Sequence, residues 1–324
     1  MEKVITLRSD APTSFFLGME VYSFGLYVTL GLALAMILLS LLIHKAGLKK
    51  GTAPLTGVLS MGLGFVLSRL LFGFMDESLG QVMPLWVMLR VNTGGYSMMG
   101  ALLGASIGAA LSARLTRQNA ARLLDLLAPA LLLFVACERL GEGYIEEFGV
   151  SRLLSDNLFN GSFLAVEGDY GWRLNTYLLE SVTAFLLTLI LLRDTGRSRR
   201  MGNTFLAFLL LFGGSQILLE SLRYDQHMTI KAYVKLQQVI SMMLLGTGVI
   251  VLAVRNLKKR RGLAVAALLS IPVTVGIGVG IEFMIDRTAV SHYLLYLAFL
   301  IAVSVPVILG LKLRKEEADE EIGH

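Results

Sequence analysis

Charged and amide side chains sit where this chain is otherwise apolar. Arg69 lies inside VLSRLLFGF, and Glu138 and Arg139 close an apolar run. Glu180 lies in YLLESVTAF, while Gln216, Glu220 and Arg223 share SQILLESLR; Gln238 opens the next run. A charge at the centre of a bilayer costs at least ~2.5–3.5 kcal/mol on insertion scales, so intramembrane charges mark functional sites by default. Most of these residues fall toward the same ends of their runs, which predicts one shared polar cavity. The plainer alternative is helix-to-helix salt bridging or snorkelling at helix ends; it accounts for any one residue but less well for the set. Arginines at such a depth suit bidentate recognition of phosphate, and the ready phosphate there is a phospholipid head group. There is no H-E-x-x-H, G-x-S-x-G or Walker loop, and His44, His227, His292 and His324 are scattered. The single cysteine, Cys137, excludes an intrachain disulfide and a multi-cysteine metal site. No metal or cofactor is expected.

The elements that must position these groups are membrane helices. Hydrophobic residues make up 55% of the 324 positions and charged residues 16%, against about 25% charged in soluble domains. Helices span lipid with ~20 apolar residues. Open sheets leave their backbone unpaired there, and barrel strands alternate over about 10 residues, which these runs do not. The candidate spans are roughly 18–43, 54–75, 95–113, 122–138, 175–192, 203–222, 235–254, 262–284 and 291–311. The third is rich in glycine and alanine, residues that let helices approach closely. The fold class is all-α, polytopic and integral to the membrane.

Basic residues follow every odd-numbered span, among them Lys49, Arg117, Arg197, Lys259 and Arg314. Those ends share one side, the cytoplasm by the positive-inside rule. The N-terminus then lies outside and the C-terminus inside, with Lys3 and Arg8 as a weak countercurrent. Residues 1–17 are mixed and polar, so the first run reads as a retained span rather than a cleaved signal. This placement of charge also explains the net charge of +5 without nucleic acid, which is not expected as a partner. The connection 139–173 is the longest, glycine-rich, acidic and aromatic, and long connections of this kind are usually functional. The tail EEADEE (316–321) reads as a solvated end.

Several segments, in order, resemble the prolipoprotein diacylglyceryl transferase family of bacterial inner membranes. YSFGLYVTLG (22–31) looks like its first-span motif, SRLLF (68–72) its second-span arginine motif, and RVNTGGYSMMGALLGA (90–105) its double-glycine signature. ERLGEGYIEEFGV (138–150) is similar to the family's G-R-x-G-N-F-x-N-G-E-x-x-G signature, LLESLR (218–223) to E-F-x-R, and LQQVIS (236–241) to M-G-Q-I-L-S. Each motif is weak alone; the ordered set over 18–254 is specific. The resemblance implies a seven-span core (1–256) and a two-span C-terminal extension with an acidic tail (257–324) in which Glu282 has no catalytic role. It implies transfer of a diacylglyceryl group from phosphatidylglycerol to a cysteine thiol of a lipoprotein precursor, the partners being that lipid and a signal peptide.

Carried over by position, Arg139 falls on the signature arginine, Arg69 on the second-span arginine, and Glu220 and Arg223 on the sixth-span pair. Gly94, Gly95, Gly100 and Gly104 match the glycine-rich face. In the leading reading Arg139 is catalytic, holding the phosphate with Arg223 and offsetting charge on the leaving group, and Glu142 or Glu147 is the base that activates the acceptor. Arg69, Gly94, Gly95, Gly100, Glu180, Gln216, Glu220, Arg223 and Gln238 are the expected substrate-binding set. Four positions depart from the family: Met99 stands for histidine, Glu142 for asparagine, Gln216 for arginine and Phe24 for tyrosine. Methionine takes no proton, so no base acts from position 99. Two rival readings follow, a non-catalytic relative that binds lipid or a partner protein, and a transporter. A transporter is expected to show repeated halves, and no repeat is visible in the sequence.

Overall fold

Long apolar runs leave a backbone in lipid one means of satisfying its polar groups, the helix, and each expected span falls on one. A computed structural model describes residues 14–16, 19–75, 95–145, 149–152, 159, 161–168, 171–195, 200–224, 229–230 and 234–322. The helices are α1 (Ser23–Lys45), α2 (Thr52–Met75), α3 (Met98–Thr116), α4 (Ala120–Glu142), α5 (Thr176–Thr195), α6 (Asn203–Leu222), α7 (Leu236–Asn256), α8 (Arg261–Arg287) and α9 (His292–Ile322). Among the described residues, these 9 helices are long and apolar enough to cross a membrane. Large apolar side chains such as Leu41, Val58, Leu269, Val273, Leu294 and Ile301 are exposed, the surface of a chain whose solvent is hydrocarbon.

Among the described residues, three two-stranded antiparallel ribbons accompany the helices. They are β1 (Ser14–Phe16) with β2 (Met19–Val21), β3 (Ala165–Gly168) with β4 (Gly171–Leu174), and β5 (Thr229–Ile230) with β6 (Val234–Lys235). The second ribbon lies within the long connection that the sequence shows after α4; it pairs Ala165 with Leu174 and Gly168 with Gly171. The tail 316–321 continues the last helix, because α9 runs on to Ile322, through lysine, arginine, glutamate and alanine, all of which favour helix.

The chain divides into two compact units. One comprises Ala33–Leu133 and Thr188–Phe205. Its centre is the α2–α3 pair, whose backbones meet at small residues. A Cβ on Gly100 would lie 2.6 Å from the Leu67 carbonyl oxygen, and one on Gly108 would lie 2.5 Å from that of Leu59. Ser60 Oγ donates to the Ala105 carbonyl at 2.9 Å, and Thr56 and Ser112 share a 2.8 Å hydroxyl contact. This is the small-residue packing that substitutes for a hydrophobic drive between helices in lipid.

The other unit comprises Met1–Leu32, Phe134–Leu187 and Leu206–His324. Leu210, Phe212, Leu245 and Leu252 form its buried centre, with Phe208 stacked on Phe212 at 5.3 Å. Gly213 on α6 lets α7 approach, its Cβ position lying 2.9 Å from the Ser241 carbonyl oxygen. The α8–α9 pair packs on α7 within the same unit.

Candidate active site

The ends of four helices in this unit carry the expected charges, because successive spans run in opposite directions. Arg139 and Glu142 lie at the C-terminus of α4, Glu180 near the start of α5, Glu220 at the end of α6, and Lys235 caps the start of α7. Arg139 is 1% exposed, Glu180 0% and Arg223 2%. Arg139 Nε forms an ion pair with Glu180 Oε2 at 2.7 Å, without the alignment of a hydrogen bond. Its Nη1 pairs with Glu142 Oε1, and Glu138 and Glu220 stand farther off at 3.6 and 3.8 Å. Arg223 Nη1 donates to Glu142 Oε2 at 2.8 Å and to Glu180 Oε1 at 3.0 Å. Glu142 and Glu180 therefore bridge the same two guanidinium groups, one oxygen to each. Desolvation of such charges is costly, and only mutual pairing with further hydrogen bonds offsets it.

The network extends through α7. Lys235 Nζ donates to the backbone carbonyls of Glu220 at 2.9 Å and Arg223 at 2.5 Å. Gln238 Oε1 accepts from the Lys235 amide at 3.1 Å, and Gln238 Nε2 donates to Glu282 Oε1 at 2.6 Å. Glu282 Oε2 completes the chain with Arg152 Nη2 at 3.1 Å. Gln216, one turn before Glu220 on α6, is 1% exposed, and among the described residues neither of its amide atoms has a hydrogen-bond partner. A buried polar group left so costs about 1–3 kcal/mol.

The segment after α4 is shaped by glycine. Gly149 has φ of 65°, a region that a side chain would strain. Its carbonyl accepts the Tyr177 amide at 3.0 Å, and a Cβ there would strike the Tyr177 side chain. Residues 150–152 then pair in backbone with the end of α6: Arg152 N donates to the Leu222 carbonyl at 2.9 Å and Tyr224 N to that of Val150 at 2.8 Å. The signature segment is thus fastened beside Arg223.

Arg69, Gly95 and Gly100 belong to the other unit. Arg69 is 2% exposed; its Nη1 donates to the Gly95 carbonyl and its guanidinium lies 5.1 Å from the Tyr96 ring centroid. Gly95 has φ of 72°, and a Cβ there would enter the Phe72 ring. Ser97 caps α3, accepting the Gly100 amide at 3.3 Å, while Ser68 Oγ donates to the Ser97 carbonyl at 2.8 Å. Gly100 is placed against the α2 backbone, a packing use of the residue. Met99, at the family's histidine position, is fully buried. Gly94 and Glu147 lie outside the described residues.

The order of these segments has a match among known proteins. A family model described as prolipoprotein diacylglyceryl transferase matches residues 12–254. The chain belongs to the prolipoprotein diacylglyceryl transferase family. Relatives named phosphatidylglycerol–prolipoprotein diacylglyceryl transferase include one from Bacillus licheniformis, 27% identical over 270 residues, covering 79% of this chain and 96% of the relative. One from Bacillus velezensis is 25% identical over 262 residues, covering 76% and 93%. One from Staphylococcus aureus is 24% identical over 260 residues, covering 76% and 89%. The chain is a multi-pass bacterial membrane protein of this transferase family.

The sequence expects one shared cavity for Arg69, Glu138, Arg139, Glu180, Gln216, Glu220, Arg223 and Gln238. The structure brings Arg139, Glu180, Glu220 and Arg223 together around Glu142, while Arg69 belongs to the other unit. Sequence reasoning passed over Lys235 and Arg152. Lys235 at the head of a span reads as an interfacial anchor. The signal that singles it out is its position directly before the LQQVIS motif.

Proposed function

We propose that the chain transfers the diacylglyceryl group of phosphatidylglycerol to the cysteine thiol of a lipoprotein precursor. The observation that carries this reading is the Arg139–Arg223 pair, buried and held together by shared carboxylates in a chain of this family. Transfer forms a bond from the thiol sulfur to the glyceryl carbon and breaks that carbon's bond to the phosphate oxygen. Glycerol phosphate departs with the electron pair, and a base takes the thiol proton. Arg139 and Arg223 hold the phosphate and offset the charge that grows on the leaving group, the electrostatic contribution that usually dominates such steps. Arg69 holds the segment that opens α3. Gln216 offers its amide to the head group in place of the family's arginine.

The base must be free to move onto the thiol proton. Both oxygens of Glu142 are engaged by guanidinium groups, which suits Glu142 to positioning the two arginines. Glu220, whose ion pair is a single long one at 3.8 Å, is the better base among the described carboxylates, with Glu147 the alternative. The acceptor is the signal-peptide segment around the lipoprotein cysteine. The N-terminus faces outward and the C-terminus the cytoplasm, an orientation supported by the basic residues after odd-numbered spans. Cysteine labelling at positions 49, 197 and 259 is expected from inside, and at 76, 156 and 286 from outside. Labelling of 156 and 197 from the same side overturns the orientation.

The test of the function is transfer in phosphatidylglycerol vesicles to a cysteine-containing lipoprotein-signal peptide, with formation of the thioether followed by mass. A second reading, a lipid- or partner-binding relative without transfer, is favoured by one observation: fully buried Met99 stands at the family's histidine. Lipid binding by the wild type without thioether formation would establish it.

A further inference from the structure

A cavity of about 500 Å³ lies along α7 and α8. Its walls include Ile217, Met242, Gly246, Val275 and Val279, and its polar end is Gln238 with Glu282. The family match ends at residue 254, so the α8 wall and Glu282 come from the extension. The volume falls within the ~300–1,000 Å³ of small-molecule sites. Met243 and Ile250 on α7, and Val275 and Val279 on α8, both line the cavity and are exposed. Both helices are membrane spans, so the open side of the cavity faces hydrocarbon.

Two features select the occupant. The wall is methionine, glycine and branched aliphatics, an adaptable surface for a flexible chain. At the polar end, Gln238 and Glu282 present an amide and a carboxylate that can accept from the hydroxyls of a glycerol head group, and Arg152 offsets the carboxylate's charge in an ion pair at 3.1 Å. That end is also joined to the arginine cluster, through Gln238 to Lys235 and from Lys235 Nζ to the Arg223 carbonyl.

We propose that the α7–α8 cavity binds one acyl chain of the phosphatidylglycerol donor, with the lipid's glycerol head-group end at Gln238 and Glu282. The identity of the lipid as donor rests on the transfer reading; the existence of the chain site does not. The α8 wall, beyond the matched residues 12–254, thereby contributes to a lipid subsite.

The experiment is photolabelling of the full chain in vesicles with a phosphatidylglycerol bearing a diazirine on one acyl chain. Labels are expected on the cavity-lining parts of 236–256 and 261–287. Gly246→Leu is the decisive variant, because a Cβ there meets no atom within 4 Å and the side chain enters the cavity. Leucine also favours helix over glycine, so the variant folds, which its melting temperature checks. Labelling should fall about tenfold, equivalent to roughly 1.4 kcal/mol, and KM for phosphatidylglycerol should rise by more than kcat falls. Labels that spread over lipid-facing Leu269 and Val273 and ignore Gly246→Leu overturn the site. Equal labelling by a phosphatidylcholine probe overturns the head-group assignment. Labelling that behaves as expected in a protein without thioether formation upholds the chain site and removes the transfer reading alone.

Discussion

Arg139 and Glu180 form an ion pair at 2.7 Å with almost no exposure on either side. Glu180 reaches Arg223 with its other oxygen at 3.0 Å, so one carboxylate on α5 ties the end of α4 to the end of α6. Removing it leaves two buried cations short of a partner. Glu180→Ala should lower stability by about 3–5 kcal/mol, the loss seen when one member of a buried ion pair is deleted. Thermal unfolding in lipid nanodiscs measures this, and an unchanged melting temperature would show that the pairing contributes little.

The α2–α3 contact makes a matched pair of predictions. Gly108→Ala should destabilise by about 1–3 kcal/mol through overpacking, because its Cβ would lie 2.5 Å from the Leu59 carbonyl oxygen. Gly62→Ala on α2 meets open space and should stabilise by up to about 1 kcal/mol from helix propensity. Finding both variants equally stable would contradict the backbone contact.

Asp125 on α4 caps α6. Its carboxylate accepts the Gly202 amide at 2.6 Å and the Phe205 amide at 2.7 Å. Asp125→Ala should cost about 0.5–2 kcal/mol, the range for losing a helix cap, and Asp125→Asn, which keeps one acceptor, should cost less. Equal losses in the two variants would point to packing rather than capping.

These predictions also mark what the sequence alone made legible. Span positions follow from run length, and the charged set follows from the cost of charge in lipid, so α1 to α9 and the Arg139–Glu180–Glu220–Arg223 grouping were readable. The pairing of Gln238 with Glu282 across 44 residues was not, because no local pattern encodes which face of α8 meets α7. For the same reason the sequence, which gives Glu282 no catalytic role, does not show that α8 packs on α7 and that Glu282 accepts from Gln238. Gly100 matches a substrate-side motif in sequence and also lies in the glycine- and alanine-rich span expected to allow close packing; the position of α2 shows the packing use.

Removing the extension should therefore weaken the α7 end of the network. A chain ending at 256 leaves Gln238 and Arg152 without Glu282. It should insert but bind phosphatidylglycerol less tightly, by about tenfold or about 1.4 kcal/mol. Binding equal to the full chain would show that Glu282 is dispensable to the site.

The most direct measurement is thioether formation on a lipoprotein-signal peptide in phosphatidylglycerol vesicles, comparing wild type, Arg139→Ala, Glu220→Gln and the double variant Met99→His with Gln216→Arg. The account predicts measurable transfer by wild type and faster transfer by the double variant, which restores two family residues. Arg139→Ala should lose about ten- to a hundredfold in lipid affinity, the value of one charge-assisted contact. Glu220→Gln should abolish transfer while lipid binding persists. Absence of any thioether from wild type and double variant alike, or lipid binding indifferent to Arg139→Ala, would contradict it.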